Sequence, residues 1–153
     1  MKGKKDKGFT LLEIMLVIII ISMLAAIAIP RLSNSSETAR EKADITTGRE
    51  VKAALDRYQI EHGLYPKLGE LTATNGKISG SGFIPDYIVK LDSTVTQQSA
   101  KDENKGFGIA ELGKESQAPN AQHIIMIYLT SDGSAAEVIV YNKSLSQILW
   151  SSF

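Results

Sequence analysis

The sequence predicts an α+β protein, in which one long N-terminal helix carries a small antiparallel sheet. Three observations predict it. Residues 14–29 form an apolar run without a single charge, near the N-terminal end of a 153-residue chain. Beyond Pro30, apolar residues recur at helical spacing as far as Tyr58. In the last thirty-odd residues, three β-rich stretches follow one another with turn signals between them. Laying such a helix across one face of the sheet buries the apolar side of each.

Composition narrows the function before any motif is read. The chain has room for one modest domain. Lys+Arg and Asp+Glu are both 17, so it is neutral overall. The first eight residues hold Lys2, Lys4, Lys5 and Lys7 against Asp6 alone; without them 13 basic and 16 acidic residues remain, a net charge of −3. That balance argues against a basic nucleic-acid surface, and no direct nucleic-acid partner is expected. With no cysteine, disulfides and thiolate chemistry are excluded. His62 and His123 lie far apart without metal-ligand spacing and read as surface or helix-end residues. Neither a metal nor another cofactor is called for.

The elements follow in order. Residues 1–7 are lysine-rich, and the positive-inside rule keeps them cytoplasmic. Residues 9–29 are apolar apart from Glu13 and Thr10 and Ser22, and a helix of that length rises ~30 Å, enough to cross a bilayer core. Arg31 closes the span, placing residues 31–153 outside the cytoplasmic membrane. Glu13 is the anomaly. A lone carboxylate in hydrocarbon costs roughly 2.5–3.5 kcal/mol, and intramembrane acids are as a rule paired and functional. An ordinary secretory signal would place its small-residue cut at Ala26-Ile27-Ala28, with Pro30 just beyond it. That reading, like a plain uncleaved anchor, leaves Glu13 and the order Gly8-Phe9-Thr10-Leu11-Leu12-Glu13 unexplained.

Gly8-Phe9-Thr10-Leu11-Leu12-Glu13, basic before and apolar after, resembles the class III signal of type IV pilins and type II secretion pseudopilins. The resemblance implies that a prepilin peptidase cuts between Gly8 and Phe9 on the cytoplasmic side, and that Phe9 is then N-methylated. It also implies a partner for Glu13, one helical turn from the new terminus: the cationic amine of Phe9 on a neighbouring subunit. A buried charge is tolerable once paired and hydrogen-bonded, and the positive end of its own helix gives partial relief beforehand. Glu13→Ala should then block assembly. Pro30 removes a backbone hydrogen bond and crowds the carbonyl of Ala26. It could simply end the span; the resemblance implies instead a kink in a helix that continues.

From Ser36 onward strong helix formers return, and Ala43, Thr47, Val51, Ala54, Leu55 and Tyr58 fall on one face. Val51, Leu55 and Tyr58 are the expected core contacts, while Ile45 and Ile60 point roughly the other way. Gly63 reads as a left-handed cap, with Pro66 preventing continuation. A nearly continuous helix over residues 9–61 would be about 80 Å long, more than a small domain can bury. Its apolar half must therefore sit in lipid or in a bundle of like helices. Ala54-Leu55-Asp56-Arg57-Tyr58 and Gly63-Leu64-Tyr65-Pro66 also resemble the sequence that follows the long helix in pilins and pseudopilins.

Asn75-Gly76 and Ser79-Gly80-Ser81-Gly82 mark turns. Phe83-Ile84-Pro85-Asp86-Tyr87-Ile88 is an apolar patch expected to pack under the sheet, and residues 99–105 read as an exposed loop. The strands are expected at 123–130, 136–141 and 146–150, separated by Asp132-Gly133 and Asn142-Lys143, as an antiparallel meander. The resemblance implies the same architecture, a pilin-like roll. The boundaries expected are a leader at 1–8, a membrane and assembly half of the helix at 9–30, an amphipathic half at 31–62 and a globular region at 63–153.

The function classes separate cleanly. No Ser/His/Asp or Cys/His set, phosphate-binding glycine loop or His-Glu-x-x-His appears, so an enzyme is not expected. Glu111 and Glu115 stand a helical turn apart, but Gly113 between them disfavours a rigid carboxylate pair. Asp86, Asp92, Asp102 and Asp132 are scattered and read as turn and surface residues rather than a calcium site. The resemblance implies a filament subunit whose partners are copies of itself or pilin co-subunits, the prepilin peptidase, an assembly platform in the cytoplasmic membrane, and lipid. Its location would be a single-pass cytoplasmic membrane protein that passes into a surface or envelope filament. The absence of a disulfide-closed loop and of an Asp-Pro-Trp-Gly stretch leaves a cysteine-free pilin, a secretion pseudopilin and a competence pseudopilin all open. The rival of another class is a membrane-anchored binding module whose 67–122 loops capture a ligand; it should tolerate Glu13→Leu.

Overall fold

A computed structural model describes residues 8–80, 82–113 and 121–152. The lysine-rich residues 1–7 and Glu115 lie outside the described residues. Helix α1 spans Leu11–His62, 52 residues with Pro30 inside it. The chain divides into two compact units, Met1–Ser36 and Glu37–Phe153.

In the first unit no described side chain is buried. Leu11 is 80% exposed and Leu32 72%, and every large apolar residue between them is also exposed. The one hydroxyl deep in this stretch is satisfied locally, Ser22 Oγ donating to the Ile18 carbonyl at 2.7 Å.

The second unit is an α+β fold, with two sheets among its described residues. Strands β1 (Thr72–Thr74) and β2 (Lys77–Ser79) form an antiparallel hairpin. Its turn is Asn75-Gly76, both at positive φ (50° and 73°), as a two-residue hairpin turn requires. Strands β3 (Phe107–Glu111), β4 (Ile125–Leu129), β5 (Ala136–Tyr141) and β6 (Ile148–Ser151) form the main sheet in that order. The meander β4-β5-β6 is antiparallel, as expected. The sheet nevertheless departs from a purely antiparallel one: β3 joins β4 in parallel, Phe107 opposite Ile125. Glu111 is therefore the last residue of a strand, not part of a helical carboxylate pair.

The alternation of strand side chains builds two apolar layers. Ile125, Ile127 and Leu129 of β4 and Val138 and Val140 of β5 face the layer that contains Val51, Ala54 and Leu55 of α1. Met126, Tyr128, Ile139 and Tyr141 form a second buried cluster, with Leu112 and Ala121 packed against it. Covered on both faces, β4 reads as a continuous apolar run. Phe83 of the expected patch is 1% exposed, and Ile84, Tyr87 and Ile88 pack beside it on the same core.

The buried stripe of α1 differs from the expected one by a residue. Ala43 and Thr47 are half-buried, while Asp44 and Gly48 are fully covered. Gly48 explains the shift. A Cβ there would lie 2.5 Å from Val140 Cγ2 and 3.4 Å from the Trp150 ring, so the missing side chain is what lets the helix sit this close to β5 and β6. Ile45, expected to face away, is half-buried against the core, whereas Ile60 is 81% exposed. Gly63 follows the helix at φ 82°, its N–H bonded to the Gln59 carbonyl at 2.7 Å.

Candidate assembly site

The start of α1 is built from a glycine, an aromatic and a hydroxyl in succession, and an acid three residues further on. Gly8 is exposed, with open space where a Cβ would stand, and Phe9 is 84% exposed. Thr10 is the residue before the helix and Glu13 its third helical residue. The Thr10 N–H donates to Glu13 Oε2 at 2.8 Å and the Thr10 hydroxyl to the same oxygen at 2.9 Å. In return the Glu13 N–H reaches Thr10 Oγ1 at 3.3 Å. This is a capping box, which satisfies donors that the first helical turn leaves free. Thr10 was not among the expected site residues. The signal that locates it, a Thr three residues before a Glu ahead of an apolar run, stands in Thr10-Leu11-Leu12-Glu13.

The bond leaves Glu13 exposed and its carboxylate held by its own helix end. The residues that follow supply an apolar surface left uncovered by the described residues: Ile14, Val17, Ile18 and Ile21 are 48%, 50%, 57% and 59% exposed. α1 is the single described helix long and apolar enough to cross a membrane. Pro30 sits within its exposed half, and the helix continues through it.

The remaining expected residues lie in the second unit. Val51 and Leu55 are fully buried. Tyr58 is half-buried, stacked on His62 at 4.1 Å and set edge-on to Tyr87 and Phe83 at 5.2 and 6.0 Å. Glu61 accepts from the Tyr87 hydroxyl, which holds that phenol up at about 12. Arg57 donates to the Tyr87 carbonyl at 2.9 Å. Together these contacts fasten residues 83–87 to the end of the helix. Asp86, Asp92, Asp102 and Asp132 are dispersed, and among the described residues no three His, Cys, Asp or Glu side chains are placed to hold a metal ion.

The chain is similar to a known family and to several known proteins. Residues 3–29 match the family described as the prokaryotic N-terminal methylation motif. Type II secretion system core protein G of Vibrio cholerae is 37% identical over 65 residues, 42% of this chain and 44% of the relative. Its Escherichia coli K12 counterpart is 40% identical over 62 residues, 40% of this chain and 43% of the relative. Type IV major pilin protein PilE of Neisseria gonorrhoeae is 32% identical over 101 residues, 65% of this chain and 59% of the relative. The chain thus spans 44%, 43% and 59% of the length of these three relatives. No solved structure matches it. In its methylation motif and in its relatives, the chain is similar to type IV pilins and to type II secretion core protein G alike.

Proposed function

We propose that this protein is a structural subunit of a type IV filament, and that its mechanism is assembly rather than catalysis. A prepilin peptidase hydrolyses the Gly8–Phe9 peptide bond on the cytoplasmic side, releasing the 1–8 leader. The new amine of Phe9 is then methylated and stays cationic. Residues 9–30 hold the subunit in the cytoplasmic membrane as a single pass, with residues 31–153 on the far side. On assembly the helix leaves lipid for a bundle of like helices, and the Glu13 carboxylate takes the Phe9 ammonium of a neighbour as its partner. Pro30 kinks the helix. Val51, Leu55 and Tyr58 hold the globular region to the amphipathic half. Partners are further copies or pilin co-subunits, the peptidase, a platform in the cytoplasmic membrane, and lipid.

The observation that carries this reading is an acid, capped but exposed, at the head of a helix whose apolar first half has no cover among the described residues. An apolar bundle has little to fix its vertical register, whereas one ion pair per subunit supplies it, as single polar groups do in coiled coils. The capping box gives Glu13 a partner before the neighbour arrives. A second reading, a pseudopilin of a type II secretion or competence DNA-uptake system, has the same chemistry at its N-terminus and is favoured by the likeness to core protein G.

The test compares wild type with Glu13→Ala in the native host. The expected result is normal removal of residues 1–8, normal membrane levels and no filaments, or no secretion where that is the output. Filaments at the wild-type yield from Glu13→Ala would overturn the reading in favour of a membrane-anchored module.

A further inference from the structure

The stripe of α1 that carries Gly48, Val51, Leu55 and Tyr58 continues towards the N-terminus as Asp44, Arg40 and Glu37. Its character changes there from apolar to charged. Asp44 is 0% exposed. Its two carboxylate oxygens accept consecutive backbone N–H groups, Gln97 at 2.7 Å and Gln98 at 3.1 Å. One turn earlier, Arg40 Nη1 donates to the Gln97 carbonyl at 3.1 Å and to Ser99 Oγ at 3.0 Å. Two side chains of one helix thus satisfy two backbone donors and one acceptor of a segment that belongs to no strand.

The same segment is tied on its other side. Gln98, 1% exposed, donates from Nε2 to the carbonyl of Tyr141 at the end of β5, 2.9 Å away. Thr96 Oγ1 accepts the Gly106 N–H at 3.1 Å. Residues 92–100 therefore cross from α1 to the sheet as a strap, whose own Val95 and Ala100 are only half-buried against the core. The contrast with the rest of the helix is chemical. Val51, Ala54 and Leu55 are held by close-packed apolar neighbours, which release together when the core opens. The strap is held by a few polar bonds, each of which water can replace once the segment lifts.

We propose that Arg40 and Asp44 form a clasp, and that residues 92–100 are a strap which opens as its own cooperative unit above an intact core. Opening transfers the Gln97 and Gln98 N–H groups and the Asp44 carboxylate to water together, because each satisfies the other. Local openings of this kind have free energies well below that of global unfolding and are read by amide exchange. The inference is independent of the filament reading, since it concerns the folded subunit alone.

Hydrogen exchange on the full chain in detergent micelles tests it, with wild type, Asp44→Asn and Arg40→Gln side by side. In wild type, the Gln97 and Gln98 amides should exchange at least about tenfold faster than those of Ile127 and Val138 in the sheet. Asp44→Asn sets an amide donor against one of the two N–H groups and should speed residues 92–100 about tenfold more, with Ile127 and Val138 unchanged. Arg40→Gln, at an exposed position, should speed the same residues by a smaller factor and guards against a variant that fails to fold. Strap and sheet amides that exchange at one rate in wild type would overturn the proposal, as would variants that accelerate both together.

Discussion

The two halves of α1 share one backbone conformation and differ in what they meet. Before Ser36, large apolar residues point outward on every side, from Leu11 at 80% to Leu32 at 72% exposure. After Glu37 one stripe is buried against the chain's own sheet, and the exposed positions carry charges such as Arg49, Glu50 and Arg57. A helix apolar all round has no solution in water and needs lipid or other helices. An amphipathic one is complete within a single subunit. Helix formation is thus common to both, but the stabilising partner of the first half has to come from outside the molecule. Substitutions in the two halves should accordingly be read out by different experiments.

The largest effect on folding is expected at Leu55, fully buried beneath β4 and β5. Leu55→Ala should lower unfolding stability by about 2–5 kcal/mol. Ile18→Ala, in the first half, should leave the urea midpoint of the globular unit where it is. Equal losses from both would remove the distinction between the halves. Next comes Gly48→Ala. The new Cβ would meet Val140 Cγ2 at 2.5 Å, for a cost of about 1–3 kcal/mol from overpacking. The gain in helix propensity, at most about 1 kcal/mol, offsets only part of it. A thermal midpoint raised by this change would show that the helix does not lie this close to β5.

Thr10→Ala should be milder, because a capping contact is worth about 0.5–2 kcal/mol and its loss is local. Cleavage after Gly8 should continue and assembly should slow, with Thr10→Ser restoring it. Smallest of all is the pH response. Asp92 and Asp132 are each held at about 2, the first chiefly by the Thr94 hydroxyl and the second by the Ser134 N–H. A carboxyl lowered on folding stabilises above its unfolded value and loses that contribution as pH falls through about 2. Burial raises Asp44 and Glu137 instead, so their contribution runs the other way and is lost as pH rises. The opposed signs predict a shallow acid limb, with a urea midpoint nearly level from pH 7 down to about 4. Asp132→Asn should flatten the further fall below that, and an unchanged limb would remove Asp132 from the account.

Much of this was legible in the sequence where one local signal decides the outcome. The apolar run, the stop at Gly63 and the last three strands each rest on neighbours in the chain. Strand β3 does not. Phe107-Gly108-Ile109-Ala110-Glu111 is short and contains a glycine, and it is a strand because β4, far along the chain, lies parallel to it. The second apolar layer escaped for a related reason. Met126, Tyr128, Ile139 and Tyr141 alternate with the core residues of their strands, and periodicity alone does not say whether the other face is covered. On α1, Asp44 and Gly48 are residue types normally read as exposed or helix-weakening. Asp44 is buried because a loop brings it two N–H groups, and Gly48 because the sheet needs its space. At the assembly site the acid stood out at once as costly. Its partner within the chain, Thr10, is signalled only by the Thr-x-x-Glu spacing, a local cap that an intersubunit charge pair does not require.

The central claim is that Glu13 acts with a free, cationic Phe9. It is met most directly by the intact mass and N-terminal sequence of the protein purified from native membranes or sheared filaments. The account predicts a chain that begins at N-methylated Phe9. A chain that begins at Ile29, or one that keeps residues 1–8 in a strain with an active prepilin peptidase, would contradict it.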